Sequence, residues 1–160
     1  MAKDASNRQV SSNQLERSPI HQLHRAGQCA ADIFQTEMGI DDLTPRQYAV
    51  LLTVSQNEGL SQTQLVDKTG IDRSTLADVV RRMLKKGLLH RRRTREDARA
   101  YAVRLTDEGW KALKSADPVA KRVDDRILAA LPAAQRDRFL SDLGTIVEAL
   151  GKLNDEASDQ

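Results

Sequence analysis

Residues 72–105 read DRSTLADVVRRMLKKGLLHRRRTREDARAYAVRL, and a change of rhythm inside them decides the fold. Leu76, Val79, Val80, Met83 and Leu84 recur at three- and four-residue steps, which is one face of a helix. Asp72 is placed to cap that helix and Gly87 to end it. Beyond Gly87 the period falls to two: LLHRRR and AYAVRL flank TREDAR, a β-hairpin with a loop of several residues. Between Asp72 and Arg104 stand eleven Lys and Arg against four Asp and Glu, a balance of +7 in a chain whose total is +2, so the remainder carries −5. Such a patch suits a phosphate backbone or an anionic membrane surface, whereas an isolated charge run is as often a solvated face. The neighbouring segments decide between these.

Immediately upstream, LSQTQLVDKTG predicts a short helix. Ser61 caps it, Gln64 closes a capping box, Leu65 and Val66 point inward, and Gly70 supplies the left-handed end. A short helix, a turn around Gly70 and Ile71, and a longer amphipathic helix in series form a helix-turn-helix. With a basic hairpin directly after it, the unit is a winged helix. Further upstream, LTPRQYAVLL repeats the capping device with Thr44, Pro45 at the first helical position and Gln47. Tyr48, Leu51, Leu52 and Ser55 are expected on that helix's inner face. The first helix starts at Pro19, carries Ile20, Leu23, Gly27, Ala30, Ala31 and Phe34 at helical steps, and stops near Gly39.

Downstream, Thr106 starts a helix containing Trp110 and Leu113. Pro118 is expected to interrupt and kink it, because proline has no N–H to donate. Val119, Val123, Ile127, Leu128 and Leu131 continue the apolar face. Pro132 opens a last helix whose Phe139, Leu143, Ile146, Leu150 and Leu153 step by 4, 3, 4, 3, a coiled-coil-like seam. The expected fold class is mainly α with a small β-hairpin wing. A winged helix-turn-helix core over 45–106 is flanked by dimerisation helices over 19–38 and 107–153. These form one unit over 19–153, with tails at 1–18, flexible, and 154–160.

Composition narrows the function. No run approaches the length of a membrane span, and the polar first residues MAKDASNRQVSSNQLER have no signal-peptide core. A single cysteine, Cys29, cannot form an internal disulfide, so a cytoplasmic, nucleoid-associated setting is expected. No Gly-rich phosphate loop, nucleophile elbow or paired-acid signature is present, and neither enzymatic activity nor a cofactor is expected.

The order of parts resembles the MarR (multiple-antibiotic-resistance regulator) family of bacterial transcription factors over roughly residues 20–153. The resemblance is carried by LTPRQYAVLLTV, by LSQTQLVDKTGIDRSTLADVVRRMLKKGLLHRRR and by TREDARAYAVRLTDEG. In the last, Asp97 and Arg99 occupy a D-x-R pattern, and Leu105, Thr106 and Gly109 an L-T-x-x-G pattern. It implies a homodimer whose first and last helices interlock and whose two lobes straddle a pseudo-palindromic operator in double-stranded DNA. It also implies a repressor released by a small organic effector, anionic or aromatic: an aromatic acid, a phenol or an acyl-CoA thioester.

Site residues are expected accordingly. Arg73, Ser74 and Thr75, in the first turn of the second helix of the pair, face base edges in the major groove. Arg81 and Arg82, later on that helix, suit backbone phosphates. Arg95 and Arg99, at the hairpin tip, suit the minor groove. Asp97 is expected to brace the wing by pairing with an arginine. Asp78 departs from the basic or hydroxyl residue expected there. It either accepts from cytosine N4 or orients an arginine one turn on, and the second is favoured. The effector pocket implied by the resemblance lies between the first helix, the second helix and the helix after the wing, with His21, His24, Arg25 and Gln28 as candidates. Two rivals remain: thiol-based redox sensing through Cys29, which is otherwise expected as small core packing, and a metal-responsive site using His21 and His24 with Glu37 and Asp41. No third ligand stands at a telling spacing, so no bound metal is expected.

Overall fold

The computed structural model describes residues 14–39, 43–57, 59–94 and 101–158. The element order is α1 (Pro19–Met38), α2 (Pro45–Gln56), β1 (Leu60–Ser61), α3 (Gln62–Thr69), α4 (Arg73–Lys85), β2 (Leu89–Arg93), β3 (Tyr101–Leu105), α5 (Asp107–Ala129) and α6 (Ala133–Ser158).

The caps that mark these helices in the sequence are formed. Thr44 and Ser61 each accept from the backbone N–H three residues on, and Gln47 and Gln64 return the bond to the cap N–H. Gly70 ends α3 at φ 67°, where a side chain would be strained. The core lies under the wing and between α2, α3 and α4. Leu51, Leu65, Leu76, Met83, Val50, Val80 and Val103 are its largest fully buried side chains. The inner face of α2 is Val50, Leu51 and Val54, while Tyr48, Leu52 and Ser55 are only half-buried. That corrects the expected face by a fraction of a turn, because α2 packs on α3, α4 and β3 at once as well as on α5. Gln47 is also buried, its amide oxygen accepting from Thr44 N at 3.1 Å.

The hairpin pairs antiparallel in the register Leu89↔Leu105, Arg91↔Val103 and Arg93↔Tyr101. Sequence reading missed β1, which pairs Leu60 with Val103 and Ser61 with Ala102, so the sheet order is β1-β3-β2. Two residues are too few to show alternation.

The junction of β3 and α5 explains the L-T-x-x-G pattern physically. Leu105 is in the core. Thr106 donates its hydroxyl to Gly87 O (2.6 Å) and its N–H to Leu88 O (3.1 Å), while its oxygen accepts the N–H of Gly109 at 3.0 Å. At Gly109 a Cβ would lie 2.1 Å from the Leu88 carbonyl oxygen, so only glycine admits this approach.

Three expectations are corrected. α5 runs through Pro118 as one helix rather than being interrupted. Pro118 is exposed, as is Lys114 one turn earlier, so the carbonyl left without its N–H partner lies on the water side. α6 continues to Ser158, past the expected boundary at 153. At the N-terminus, residues 14–17 form a turn and Ser18 caps α1, so the ordered unit begins before 19; residues 1–13 lie outside the described residues.

Candidate nucleic-acid interface and effector cleft

The first turn of α4 projects from the lobe. Arg73 and Ser74 are exposed and Thr75 is half-buried. Asp72 caps the helix, accepting from Thr75 N at 2.9 Å and from the Ser74 hydroxyl at 2.9 Å. Hydrogen bonds from the Thr75 side chain, then its backbone and the Ser74 side chain, hold the Asp72 carboxyl down to about 2. The Ser74 hydroxyl proton is thus committed, leaving its oxygen as an acceptor toward solvent.

One turn on, Asp78 bridges two cations. One carboxylate oxygen pairs with Arg81 and the other accepts from Arg82 Nε at 2.8 Å. The Arg81 hydrogen bond, with Arg82 adding its charge, lowers the Asp78 pKa. Of the two readings of Asp78, this geometry is the one in which a carboxylate orients arginines. Both guanidiniums stay largely exposed, Arg81 at 76% and Arg82 at 68%. On β2, Arg91, Arg92 and Arg93 are exposed, with Arg93 5.8 Å from the centre of the Tyr101 ring. These strand arginines are not among the candidate contacts, and alternation alone does not single them out, because Arg92 points to the opposite face from Arg91 and Arg93. Arg95, Asp97 and Arg99 lie outside the described residues.

Behind α4 the structure opens a cavity of about 760 Å³ lined by α1, the start of α2 and α4. His24 and Gln28 line it; His21, half-buried beside the α1 cap, and Arg25, exposed, do not. A second cavity of about 240 Å³ shares Gly27, Ala31 and Pro45 with the first and runs between α1, α2 and α5, past Phe34, Tyr48 and Val123 to Asp124. The two cavities adjoin at these shared residues, the first polar beside α4 and the second aromatic beside α5. The Tyr48 hydroxyl donates to Asp117 Oδ1 at 2.8 Å, and burial together with that carboxylate pushes Tyr48 up to about 12. Burial, then the charge of Asp125, raises Asp124. No residue of the α5 end, Tyr48 and Asp124 included, was among the candidates. The sequence places Tyr48 on the inner face of α2, and Asp124 gives no signal in an α5 rich in charged residues.

Glu37, a candidate ligand of the metal reading, is held by Arg122 (3.3 Å) and Arg126, which tie α1 to α5. Among the described residues no group of three or more His, Cys, Asp and Glu could hold a metal, and Asp41 lies outside them. Cys29 is exposed on α1 rather than packed in the core, correcting that expectation. No helix of the described residues is long and apolar enough to cross a membrane.

A helix-turn-helix pair, a basic three-stranded wing and a cationic face on the second helix define a winged-helix DNA-binding regulator of transcription. The chain belongs to the MarR family: a MarR family model matches residues 41–100, and it is 33% identical over 126 residues to the transcriptional regulator HosA of Escherichia coli O127:H6, spanning 79% of this chain and 92% of HosA. Among solved structures it is similar to the PcaV transcriptional regulator of Streptomyces coelicolor in complex with its natural ligand (TM-score 0.79, 32% identity, 85% of this chain and 96% of that one). It is also similar to the transcriptional repressor CouR bound to a 23-mer DNA duplex (TM-score 0.74, 32% identity, 82% and 94%) and bound to p-coumaroyl-CoA (TM-score 0.73, 31% identity, 86% and 96%).

Proposed function

We propose that the protein is a repressor that binds a pseudo-palindromic operator as a homodimer in the cytoplasm. An aromatic acid or its CoA thioester, seated in the cleft between α1, α2, α4 and α5, releases it. The cleft carries this reading: an aromatic floor of Phe34 and Tyr48 continues into a polar end that holds His24, Gln28 and Arg82. A flat ring stacks or packs at the first end while a carboxylate or phosphate meets donors at the second. The natural-ligand complex of PcaV and the p-coumaroyl-CoA complex of CouR support a ligand-responsive role, and the CouR–DNA complex supports the repressor role.

Dimerisation is supported by what the single chain leaves uncovered. Ile20 and Leu23 on α1 are exposed, and so on α6 are Phe139, Ile146, Leu150 and Leu153. α6 has no extensive packing on any other described element. An unpartnered apolar seam on a 26-residue helix calls for a second helix.

The base contacts proposed are Arg73, Ser74 and Thr75; the phosphate contacts are Arg81 and Arg82; Arg95 and Arg99 are assigned to the minor groove and Asp97 to bracing the wing. The test is a salt-dependent gel shift on DNA selected by the protein from a random pool, repeated with p-coumaroyl-CoA, p-coumarate and salicylate. Binding that falls with salt and with one of these ligands supports the reading. No preference among sequences would overturn it.

A further inference from the structure

Gly27 stands in the interior of α1. A glycine there weakens a helix relative to alanine, because the unfolded chain gains freedom and no side chain packs. Neither common structural reason for glycine applies. Its φ is not in the positive range that Gly70 and Gly87 occupy. A Cβ built on it would meet no atom of a neighbouring element among the described residues within 4 Å, in contrast to the 2.1 Å approach at Gly109. Gly144 and Gly151 on α6 have open space as well, but neither lines the two cavities, whereas Gly27 lines both. The smaller cavity, about 240 Å³ beside Phe34 and Tyr48, has room for a single ring and little more. The larger, about 760 Å³, has room for a chain and polar side chains to meet it. The two adjoin at Gly27 and Ala31 of α1 and Pro45 of α2. Gly27 lies one turn after Leu23 and one turn before Ala31, in the middle of the stripe of α1 that lines the cavities, so any side chain at this position would stand in their junction.

We propose that Gly27 keeps this junction open for a ligand longer than one ring and so sets the class of the effector: an aromatic acyl thioester, its ring in the smaller cavity and its chain crossing Gly27 into the larger, in preference to a free aromatic acid. This inference rests on the reading that the two cavities take an aromatic acid or its thioester, and it chooses between them. A free acid fills the smaller cavity and has no use for the junction. A thioester needs it, because the bulk of its chain has no place beside Phe34 and Tyr48. Gly27 thus acts as a specificity residue by the side chain it lacks, and its cost to the helix is the cost of the passage.

The experiment uses the full chain without DNA and measures affinity by calorimetry for salicylate, p-coumaroyl-CoA and free CoA. In the wild type p-coumaroyl-CoA is expected to bind at least about tenfold tighter than salicylate or CoA alone, as joining two fragments that each find a seat predicts. In Gly27→Leu the thioester weakens by about 10–200-fold, the scale of a misfit in an apolar pocket, while salicylate stays within about twofold of the wild type. Gly27→Ala gives an intermediate loss for the thioester and none for salicylate. Both variants melt no lower than the wild type, since alanine and leucine favour helix over glycine. Sedimentation compares their assembly with the wild type, and should Gly27→Leu alter it, Gly27→Ala carries the test. A thioester affinity unchanged in the variants, or a loss equal for thioester and salicylate, overturns this inference and leaves the effector reading standing. So does a wild type that binds salicylate or free CoA as tightly as the thioester. If none of the three binds the wild type, the effector reading falls and takes this inference with it.

Discussion

Gly109 shows how a single hydrogen atom can set the geometry between wing and helix. Its place, three residues after Thr106, was legible as a pattern, but the reason was not, since the 2.1 Å approach is to the carbonyl of Leu88, which lies just before β2 and far from Gly109 in sequence. The backbone there is bonded through Thr106 and has little room to retreat. Gly109→Ala is therefore expected to lower stability by about 1–3 kcal/mol, as overpacking does, measured by urea unfolding; an unchanged midpoint would show that the junction yields. Arg73 tests base reading at the same scale. Arg73→Ala should cost about 1–3 kcal/mol of discrimination between selected and random duplexes. Equal weakening on both would assign Arg73 to phosphate instead.

At the scale of the element, α4 depends on its cap. The Asp72 carboxyl is held at about 2, below its ordinary 3.8, by groups of the helix's own first turn. A lowered folded pKa means the cap stabilises fully above the unfolded value and is lost as pH falls from about 3.8 through about 2. Amide protection at Thr75 should fade over that window ahead of the core, and in Asp72→Asn, which still caps but does not titrate, the fading should be absent. Fading that persists in the variant would place the effect elsewhere. The helices themselves were legible because their signals are local: Ser, Thr or Asp caps, Gln three residues on, glycine at the end. What escaped was set by distant chain. The face of α2 is fixed by several neighbours at once, β1 exists only because β3 passes beside it, and α5 absorbs Pro118 on its wet side. In the cleft, His24 and Gln28 were legible from their place on α1, whereas Tyr48 and Asp124 depend on how α5 crosses α2.

At the scale of the whole molecule, α6 packs extensively on no other described element, so its partner is expected to be a second copy of the chain. Ending the chain after Pro132 should yield a species that is monomeric or aggregates, while the full chain sediments as a dimer; a well-folded dimer without α6 would move the interface to α1 and α5. By linkage, whatever factor a ligand takes from DNA affinity, DNA must take from ligand affinity, and calorimetry on the DNA complex should return the same ratio as the gel shift. The sheet order β1-β3-β2 has a quieter consequence. β2 is an outer strand, five residues long, with one edge that no described strand pairs. Such an edge invites other chains to add strands to it, and flanking positive charge is one way proteins prevent this. Arg91, Arg92 and Arg93 repel their counterparts on another molecule whenever no DNA is present. Replacing all three with threonine should therefore shorten the storage life of the free protein, with light scattering rising over days, and added duplex should not rescue it.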